Sequence, residues 1–309
     1  MILDVTFTVT EAEAGHRLDS VLCARFPASC RACCRRAIET RQVRVNGQPA
    51  RKGVKVRAGS AIRVLRLTER ADQRVRPDAA VPVRILFEDQ ALLAADKPAG
   101  MPVHPLSGDE TGTLMNGLVA RYPELAAVGD PPLMAGALHR IDTGTSGVVL
   151  VARSAAAFDA VRAQFTEQSV EKIYLALVEG HVALPGHLVH GLAHQPGLPY
   201  CKMTDARALS GPQRVLHAET AYRPLGWHGR DTLLEVTIRT GVTHQIRCQL
   251  ALNGMPIVGD TLYGARAMTG GTRFFLHARE IRFRHPQSRL PCVLQAPLAP
   301  DFQARLAET

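Results

Sequence analysis

The chain has 309 residues, of which 46% are hydrophobic and 21% charged, and its formal net charge is +9. This balance supports a buried core and excludes a disordered or collagen-like polymer. Uninterrupted apolar runs such as residues 148–152 are far shorter than the ~20 residues that a membrane-spanning helix needs. The first residues also lack the basic and apolar segments of a secretion signal. We therefore expect a cytoplasmic protein with no membrane partner.

Positive charge is concentrated at the N-terminal end of the chain. Residues 1–70 hold 14 Lys and Arg against 6 Asp and Glu, whereas the other 239 residues hold 23 against 22. Because neutralised phosphates supply most non-specific affinity for nucleic acids, a basic module beside a neutral body predicts a polyanion-binding domain. A basic surface that only contacts solvent is the alternative that charge alone leaves open.

Four of the seven cysteines are clustered near the N-terminus, at a spacing that invites a metal interpretation. No second Cys or His pair follows at zinc-finger spacing, so we expect no metal site. The small apolar residues follow one stripe of a helix instead, at Cys30, Cys33, Cys34, Ala37 and Ile38. Reduced cysteine packs as a small hydrophobic residue, and an odd count without a secretion signal fits a reducing compartment.

The N-terminal segment predicts two short helices followed by small strands. The first helix covers residues 18–26, and Ser29 is expected to cap a second helix over about residues 30–40. Three arginines of the second helix lie away from its apolar stripe and face solvent or a ligand, namely Arg31, Arg35 and Arg36. The turn pair Asn46-Gly47 then joins short basic strands that continue to about residue 67.

This order of elements resembles the S4 RNA-binding domain. The matching stretches are Gly-His-Arg-Leu-Asp at residues 15–19 and Val-Arg-Val-Asn-Gly at residues 43–47. The resemblance implies an S4-like RNA-binding domain over residues 1–75, with the three helix arginines at the RNA. The polar segment 68–82 is typical of a linker, and residues 76–309 are expected to form a second domain.

The second domain predicts more strands than helices, without regular alternation. Strands are expected at residues 84–87, 91–95, 148–151, 172–178, 217–223, 232–238 and 274–284. Helices are expected at residues 112–121, after Ser154, and from a Thr243 cap to residues 253–254. This pattern favours an α+β fold with a mixed, largely antiparallel sheet over a doubly wound parallel fold.

The most concentrated set of reactive side chains is His-Arg-Ile-Asp-Thr-Gly-Thr-Ser-Gly at residues 139–147, directly before an apolar strand. Polar loops at the end of a rigid strand commonly form active sites, although an ordinary turn capped by Asp142 also fits this composition. The loop differs from the kinase His-Arg-Asp motif and from the Gly-x-Ser-x-Gly nucleophile elbow. The chain also has no Walker or dinucleotide motif, so we expect no nucleotide cofactor.

The same nine residues closely resemble the catalytic motif of the RluA-type pseudouridine synthases. Three further segments match that family in order: Asp-Lys-Pro-Ala-Gly with Val-His-Pro within residues 96–105, Lys172-x-Tyr174 with residues 177–180, and Gly-Val-Thr-His-Gln-Ile-Arg at residues 241–247, followed by residues 256–264. With the S4-like segment, the resemblance covers nearly the whole chain. Val242 stands where the family usually has Arg or Lys, which puts a peripheral phosphate contact in doubt rather than the chemistry.

Membership would imply isomerisation of uridine to pseudouridine in RNA without metal or cofactor. The expected substrate is large-subunit (23S) ribosomal RNA, because family members with an S4 domain typically act there. The same chemistry on tRNA, and a non-catalytic RNA-binding or ribosome-assembly protein on this scaffold, are the alternatives. A hydrolase that uses Asp142 with a nearby histidine is a third. We expect a monomer.

The resemblance also assigns roles to single residues. Asp142 would be the catalytic carboxylate, since cleavage of a glycosidic bond builds positive charge on the sugar. Arg247 would keep that carboxylate ionised and oriented, and Tyr174 would stack on the base. Arg140, with His139 beside it, would fill the space that a flipped uridine leaves or hold a phosphate.

Each of these roles has a structural alternative in the sequence. Tyr174 fits a core aromatic residue of a strand, and Arg247 fits a surface arginine of a helix. His139 fits a structural residue of its loop. For Lys97 and His104 we expect loop architecture rather than chemistry.

Overall fold

In the computed structural model, which describes residues 1–195, 202–268 and 273–308, the chain forms two sheets with separate cores. The N-terminal sheet is antiparallel, with strand order β1-β4-β2-β3, and carries two helices. Its elements are β1 (Ile2–Thr8), α1 (Leu18–Arg25), α2 (Arg31–Glu39), β2 (Val43–Val45), β3 (Gln48–Pro49) and β4 (Ala61–Leu67). Both predicted helices and the hairpin at Asn46-Gly47 are confirmed, and β1 was not predicted.

The apolar stripe of α2 packs into the N-terminal core as predicted. Its buried members are Cys33, Cys34, Ala37 and Ile38. The predicted cap is wrong, because Cys30 occupies the N-cap position and its sulfur accepts a hydrogen bond from the Cys33 amide at 3.3 Å. The preceding residue is still in a turn, in which the Ser29 amide donates to the Phe26 carbonyl at 2.9 Å.

The cysteines of the described residues are free thiols, six in number. Cys201 lies outside the described residues. Across residues 1–195, 202–268 and 273–308, no three His, Cys, Asp or Glu side chains gather as metal ligands would. None of the helices found there is long and apolar enough to cross a bilayer.

The second sheet has ten strands and is antiparallel except for one pair. Its order is β10-β9-β11-β12-β8-β13-β7-β6-β5, and β14 pairs with β13. The elements are β5 (Arg84–Glu88), β6 (Leu92–Lys97), α3 (Leu114–Arg121), β7 (Ser146–Ala152), α4 (Ala155–Thr166), β8 (Glu171–Glu179), β9 (Gly186–His194), β10 (Met203–Asp205), β11 (Leu216–His228), β12 (Asp231–Ile238), α5 (Gln245–Leu252), β13 (Leu276–Arg284), β14 (Pro291–Gln295) and α6 (Pro300–Ala307). The predicted α+β fold with a mixed, largely antiparallel sheet is confirmed.

The single parallel pair, β7 with β13, lies at the centre of this sheet and depends on a glycine. Gly147 has a φ of +118°, and a Cβ there would lie 2.1 Å from the Ala278 carbonyl oxygen. Only glycine therefore permits this approach of the two backbones. Every residue of β7 is buried, so the polar loop before it is attached to a strand that the core packs on both faces.

The start of α5 differs from the prediction. Thr243 is not the cap, because the N-cap is His244, in a left-handed conformation and without a capping hydrogen bond. Gln245 fastens this end of the helix instead. Its side-chain oxygen accepts from the Val242 amide at 3.1 Å and from the Thr240 hydroxyl at 2.9 Å. The side-chain nitrogen of Gln245 also donates to the Glu219 carbonyl of β11 at 2.8 Å, so a contact with a distant strand fixes the start of the helix.

The segment between β4 and β5 has little regular secondary structure, and it packs on both sheets. Leu67 belongs to the N-terminal core, whereas Val75 belongs to the core of the second sheet. Asn116 of α3 donates to the Arg76 carbonyl at 2.7 Å. The boundary at residue 75 stays a prediction, although the change of core falls between residues 67 and 75.

Candidate active site

The polar loop at residues 139–145 is held by a lysine that has no exposed surface. Lys97, at the end of β6, donates to the carbonyl oxygens of Pro98, Met101 and Thr143 at 2.8, 2.7 and 3.1 Å. The Gly100 amide donates to the same Thr143 oxygen at 2.7 Å. Burial lowers the pKa of Lys97 to about 7. Lys97 thus joins two loops, which is the architectural role expected for it.

Asp142 lies in a tight turn of this loop and pairs with an arginine from α5. Its carbonyl accepts from the Thr145 amide at 3.0 Å, which closes the turn. The Oδ2 atom of Asp142 accepts from Arg247 Nη1 at 2.9 Å. The two residues are separated by 105 positions in the chain, and the structure brings them together as predicted.

A second carboxylate fixes the other side of the same arginine. Asp260, which is 2% exposed, accepts from Arg247 Nε at 2.7 Å and from Nη2 at 2.9 Å. This bidentate contact sets the plane of the guanidinium and leaves Nη1 for Asp142. Burial opposes the charge, but the two carboxylates outweigh it and raise the pKa of Arg247. The alternative of a surface arginine is therefore excluded.

Two aromatic rings cover the faces of this guanidinium. Its central carbon lies 4.1 Å from the ring centre of Phe274 and 5.2 Å from that of Tyr263. Phe274 also packs against the loop, where a Cβ at Gly144 would lie 2.6 Å from its ring. The small residue at position 144 thus allows the aromatic ring to reach the ion pair.

Tyr174 lies in the middle of β8, paired with Val236 and Ala278. It is buried in the protein core and also lines the cavity that Asp142 lines. Burial, and secondly the charge of Asp142, raise the pKa of Tyr174 well above its usual range. Its hydroxyl therefore remains protonated at neutral pH. Tyr174 therefore belongs both to the protein core and to the wall of the cavity.

The cavity has a volume of about 550 Å³, which is large enough for a nucleoside-sized ligand. Its wall includes several cationic side chains, namely Arg140, Arg162, Lys172, Arg239 and Arg247. Arg140 and Arg162 are exposed. Lys172 is buried, donates to the Thr240 carbonyl at 2.8 Å, and has its pKa lowered to about 8 by burial. Val242 contributes an apolar part of the wall.

His139 connects the loop to β7. Its Nε2 atom accepts a hydrogen bond from the Leu150 amide at 3.0 Å, so the ring carries its proton on Nδ1. Burial, together with the charges of Lys172 and Arg162, lowers the pKa of His139 to about 3. The histidine is neutral and holds the loop in place, which agrees with the structural alternative for this residue.

His244 reaches Asp142 from the start of α5 and had no predicted role. Its Nε2 lies 4.0 Å from Asp142 Oδ2, and its Nδ1 lies 3.0 Å from the Tyr263 hydroxyl. Asp260 and Phe274 were missed as well. Asp260 and His244 fall inside the matched segments 256–264 and 241–247, which was the available indication, whereas nothing in the sequence pointed to Phe274.

The three arginines predicted to meet RNA have different surroundings. Arg31 and Arg35 are exposed, and their Nε atoms donate to Asp19 at 3.3 and 3.1 Å. Arg36 reaches the second sheet's domain instead, where it pairs with Asp109 and donates to the Ser107 hydroxyl at 3.1 Å. None of the three lies at the cavity.

The fold and the site together indicate an enzyme that acts on a large polyanion, with a carboxylate–guanidinium pair at a basic cavity and a separate basic domain. The comparisons with known proteins agree. The chain matches the S4 domain over residues 16–62 and the RNA pseudouridylate synthase family over residues 91–252. Two curated relatives are both called ribosomal large subunit pseudouridine synthase D. The one from Xanthomonas campestris is 34% identical over 96% of this chain and 89% of its own, and the one from Nitrosomonas europaea is 35% identical over 98% and 87%.

Among solved structures, human RNA pseudouridylate synthase domain containing 1 has a similar fold. The TM-score is 0.55 at 24% identity, over 75% of this chain and 90% of that one. The chain belongs to the RNA pseudouridine synthase family, and the predicted resemblance is confirmed. It is therefore an isomerase with an S4 domain.

Proposed function

We propose that this enzyme isomerises specific uridines in large-subunit ribosomal RNA, with Asp142 as the catalytic carboxylate and Tyr174 and Arg247 as its partners. The observation that supports the site best is the 2.9 Å ion pair of Asp142 with Arg247, on the wall of a cavity that Tyr174 also lines. The substrate is supported by the relatives named as ribosomal large subunit enzymes.

The geometry of Asp142 suits attack on, or stabilisation of, a sugar carbon. Its side chain is 25% exposed, and Oδ2 is the atom engaged by Arg247. Its Oδ1 atom accepts no hydrogen bond from any described side chain or backbone amide, so it is available to a uridine in the cavity. As the glycosidic bond breaks, positive charge develops on the sugar, and a fixed carboxylate stabilises it.

The isomerisation balances without a second substrate. The N1–C1′ bond of uridine breaks, the uracil turns, and a C5–C1′ bond forms. The proton of C5 leaves and N1 gains one, so no electron acceptor or group donor is consumed. We assign the Tyr174 ring to the uracil face and its protonated hydroxyl to the polar edge of the base, within the cavity that both residues line.

A uridine inside folded RNA reaches this cavity only after it leaves its stack, which costs a few kcal/mol. Arg140 is exposed and lies two residues before Asp142. We assign it to fill the space that the uridine leaves or to bind a flanking phosphate. The exposed arginines Arg31 and Arg35 are assigned to phosphates farther along the RNA. These contacts would hold the RNA while the reaction proceeds.

The decisive experiment compares Asp142→Asn with Asp159→Asn, an exposed carboxylate of α4, on transcripts of large-subunit rRNA and of tRNA. We expect Asp142→Asn to lose at least about 10³-fold in turnover, the scale for an essential catalytic group. Its RNA affinity should change by less than about threefold, since one of many contacts is altered. Asp159→Asn should match the wild type in both.

Full turnover by Asp142→Asn would remove Asp142 from the chemistry. Wild-type activity on tRNA alone would correct the substrate, and binding without modification of either RNA would favour the non-catalytic alternative. Pseudouridine mapping of total RNA from cells with and without the gene would then identify the uridine. The expected result is the loss of pseudouridine at sites of the large-subunit rRNA only.

A further inference from the structure

The cysteines of the S4 domain form two close thiol pairs that the isomerisation does not use. Cys30 Sγ and Cys33 Sγ are 2.9 Å apart, and Cys23 Sγ and Cys34 Sγ are 3.5 Å apart. The first pair bridges the N-cap and the first turn of α2, and the second joins α1 to α2. A core stripe explains why these residues are small and apolar, but it does not require sulfur atoms in contact.

Each pair joins one partly exposed thiol, Cys30 or Cys23, to one buried thiol, and the pairs differ in the sulfur–sulfur distance and in their place on the helices. Cys30 is partly exposed at the N-terminal end of α2, and its sulfur accepts the Cys33 amide. Amides at a helix N-terminus stabilise a thiolate, which is the form that attacks a disulfide. Cys34, by contrast, has no exposed surface, and its burial raises its pKa beyond the ordinary range. The pair of Cys30 and Cys33 has the closer sulfur atoms, at 2.9 Å against 3.5 Å, and its accessible thiol, unlike Cys23, lies at the N-terminal end of a helix.

Cys33 has the properties of the second thiol in such a pair. It is 3% exposed, and Gln73 Nε2 donates to its sulfur at 3.2 Å. Burial, and then the hydrogen bond with Cys30, raise the pKa of Cys33 to about 11. An external disulfide therefore meets Cys30 first, and Cys33 attacks only after a mixed disulfide has formed beside it.

We propose that Cys30 and Cys33 form a reversible dithiol–disulfide site, oxidised by a small-molecule disulfide such as glutathione disulfide. The Cys30 thiolate attacks one sulfur of glutathione disulfide, which forms a mixed disulfide and releases one glutathione. Cys33 then attacks the Cys30 sulfur and releases the second glutathione. Two thiols are oxidised and one disulfide is reduced, so the exchange balances, and excess glutathione reverses it.

Closure of this disulfide requires little movement of α2. The sulfur atoms must approach by about 0.9 Å to reach the S–S bond length. Cys30, which Cys33 attacks, is at the cap of the helix, where its carbonyl accepts the first helical hydrogen bond from the Cys34 amide at 3.1 Å while its φ and ψ angles are extended. The site is independent of the proposed chemistry at Asp142, so failure of either proposal leaves the other intact.

The test incubates the full-length reduced protein with glutathione disulfide, blocks the remaining thiols by alkylation, and analyses tryptic peptides by mass spectrometry. Trypsin separates Cys30, in residues 26–31, from Cys33, in residues 32–35. In the wild type we expect these peptides to be joined by a disulfide. Cys33→Ser should retain a glutathione adduct on Cys30, whereas Cys30→Ser should leave Cys33 free. Cys34→Ser should still form the joined peptides, and Cys292→Ser is the matched control.

Three results would overturn the proposal. The wild type could keep all its thiols at glutathione disulfide concentrations that oxidise a model dithiol, or it could hold a glutathione adduct on Cys30 without joining the peptides. A disulfide between Cys23 and Cys34, with none between Cys30 and Cys33, would show that the proposal names the wrong pair. Alkylation rates of the native wild type supply a variant-free measurement, in which Cys30 should react before the buried Cys33 and Cys34.

Discussion

The S4 domain and the catalytic domain each contain an Arg–Asp cluster, and the two clusters have opposite compositions. Around Asp19, three arginines share one buried carboxylate, with Arg17 at 2.9 Å and Arg31 and Arg35 farther out. At the cavity, one buried arginine is shared by two carboxylates, Asp142 and Asp260. The first cluster has an excess of positive charge on the surface, and the second has an excess of negative charge beside the cavity.

This difference fits the two tasks that we propose for the clusters. The arginines around Asp19 are 42–55% exposed, so Asp19 orders them while their charge remains available to phosphates. Arg247 is 7% exposed, so it serves the carboxylates rather than the RNA backbone. Under the proposed function, the same residue types form an RNA-binding surface where exposed arginines outnumber the carboxylate, and a catalytic carboxylate where one buried arginine is shared by two carboxylates.

The largest expected effect comes from the same substitution in both clusters. Asp260→Asn removes a charge that compensates a buried guanidinium, so we expect a loss of about 3 kcal/mol in the free energy of unfolding. Asp19→Asn leaves arginines that water can solvate, and a loss of about 1 kcal/mol is expected. Chemical denaturation at neutral pH measures both. Turnover should fall about 10²-fold in Asp260→Asn, because Arg247 loses the contact that orients it, and should be unchanged in Asp19→Asn at saturating RNA.

Equal losses of stability would show that burial does not distinguish the two clusters. Unchanged turnover in Asp260→Asn would mean that the bidentate contact is not needed to present Arg247 to Asp142. A folded variant is required for that comparison, so the unfolding curve and the turnover are measured on the same preparation.

The second prediction concerns the exposed arginines. The double variant Arg31→Gln/Arg35→Gln should bind RNA about tenfold more weakly at low salt. The slope of log affinity against log salt should fall by about 1.4–1.8, since each phosphate contact contributes 0.7–0.9. The matched control is Arg223→Gln/Arg279→Gln, two exposed arginines that share Glu235 in the catalytic domain. An identical change of slope in both double variants would show that Arg31 and Arg35 contribute no more to RNA binding than other exposed arginines.

Whether a feature of the two clusters could be predicted from the sequence depends on how far apart in the chain the contacting residues lie. The stripe of α2, the hairpin at Asn46-Gly47 and the buried strand β7 follow from local periodicity, and all three were predicted. The pairing of Asp142 with Arg247 followed from a family resemblance, because no local rule connects residues 105 positions apart. Asp260 acts from a loop beyond α5, where no periodicity marks it.

The elements that were missed have physical reasons. In β1 most side chains are exposed, so the strand lacks a continuous apolar face. β9 contains two glycines and three histidines, which are residues that weaken any strand pattern. The start of α5 was misplaced because Gln245 donates to the Glu219 carbonyl and the Thr220 hydroxyl of β11, and those contacts depend on the tertiary fold.

The third prediction uses the partly buried histidine of the loop, His139. The pKa of His139 is lowered to about 3 by burial, while an unfolded histidine titrates near 6.5. Between these values the unfolded state binds more protons, so stability is complete above pH 6.5 and falls as the pH falls towards 3. The contribution is about 1.4 kcal/mol per pH unit within that window. His139→Gln keeps an acceptor for the Leu150 amide and should flatten the dependence.

Denaturation curves between pH 4 and 7 measure this slope. Burial also lowers the pKa of His277 to about 4, so His277 contributes a slope of the same sign in the wild type and in His139→Gln. Only part of the dependence of stability on pH should therefore disappear in the variant. His16→Gln, at an exposed histidine, is the control and should leave the slope unchanged. A slope that survives in His139→Gln would assign the acid sensitivity to other groups.

The smallest expected effect lies between the two domains, where Arg36 of α2 meets Asp109 and Ser107. Both charged side chains are about half exposed or more, so Asp109→Asn should change the free energy of unfolding by less than about 1 kcal/mol. The substitution releases Arg36 to the solvent, and a phosphate then no longer competes with a carboxylate for it. RNA affinity should therefore rise, by about twofold, whereas Arg36→Gln should lower it. A fall in affinity for Asp109→Asn would instead mean that the contact aligns the S4 domain with the cavity, and that this alignment contributes more to binding than one additional cation.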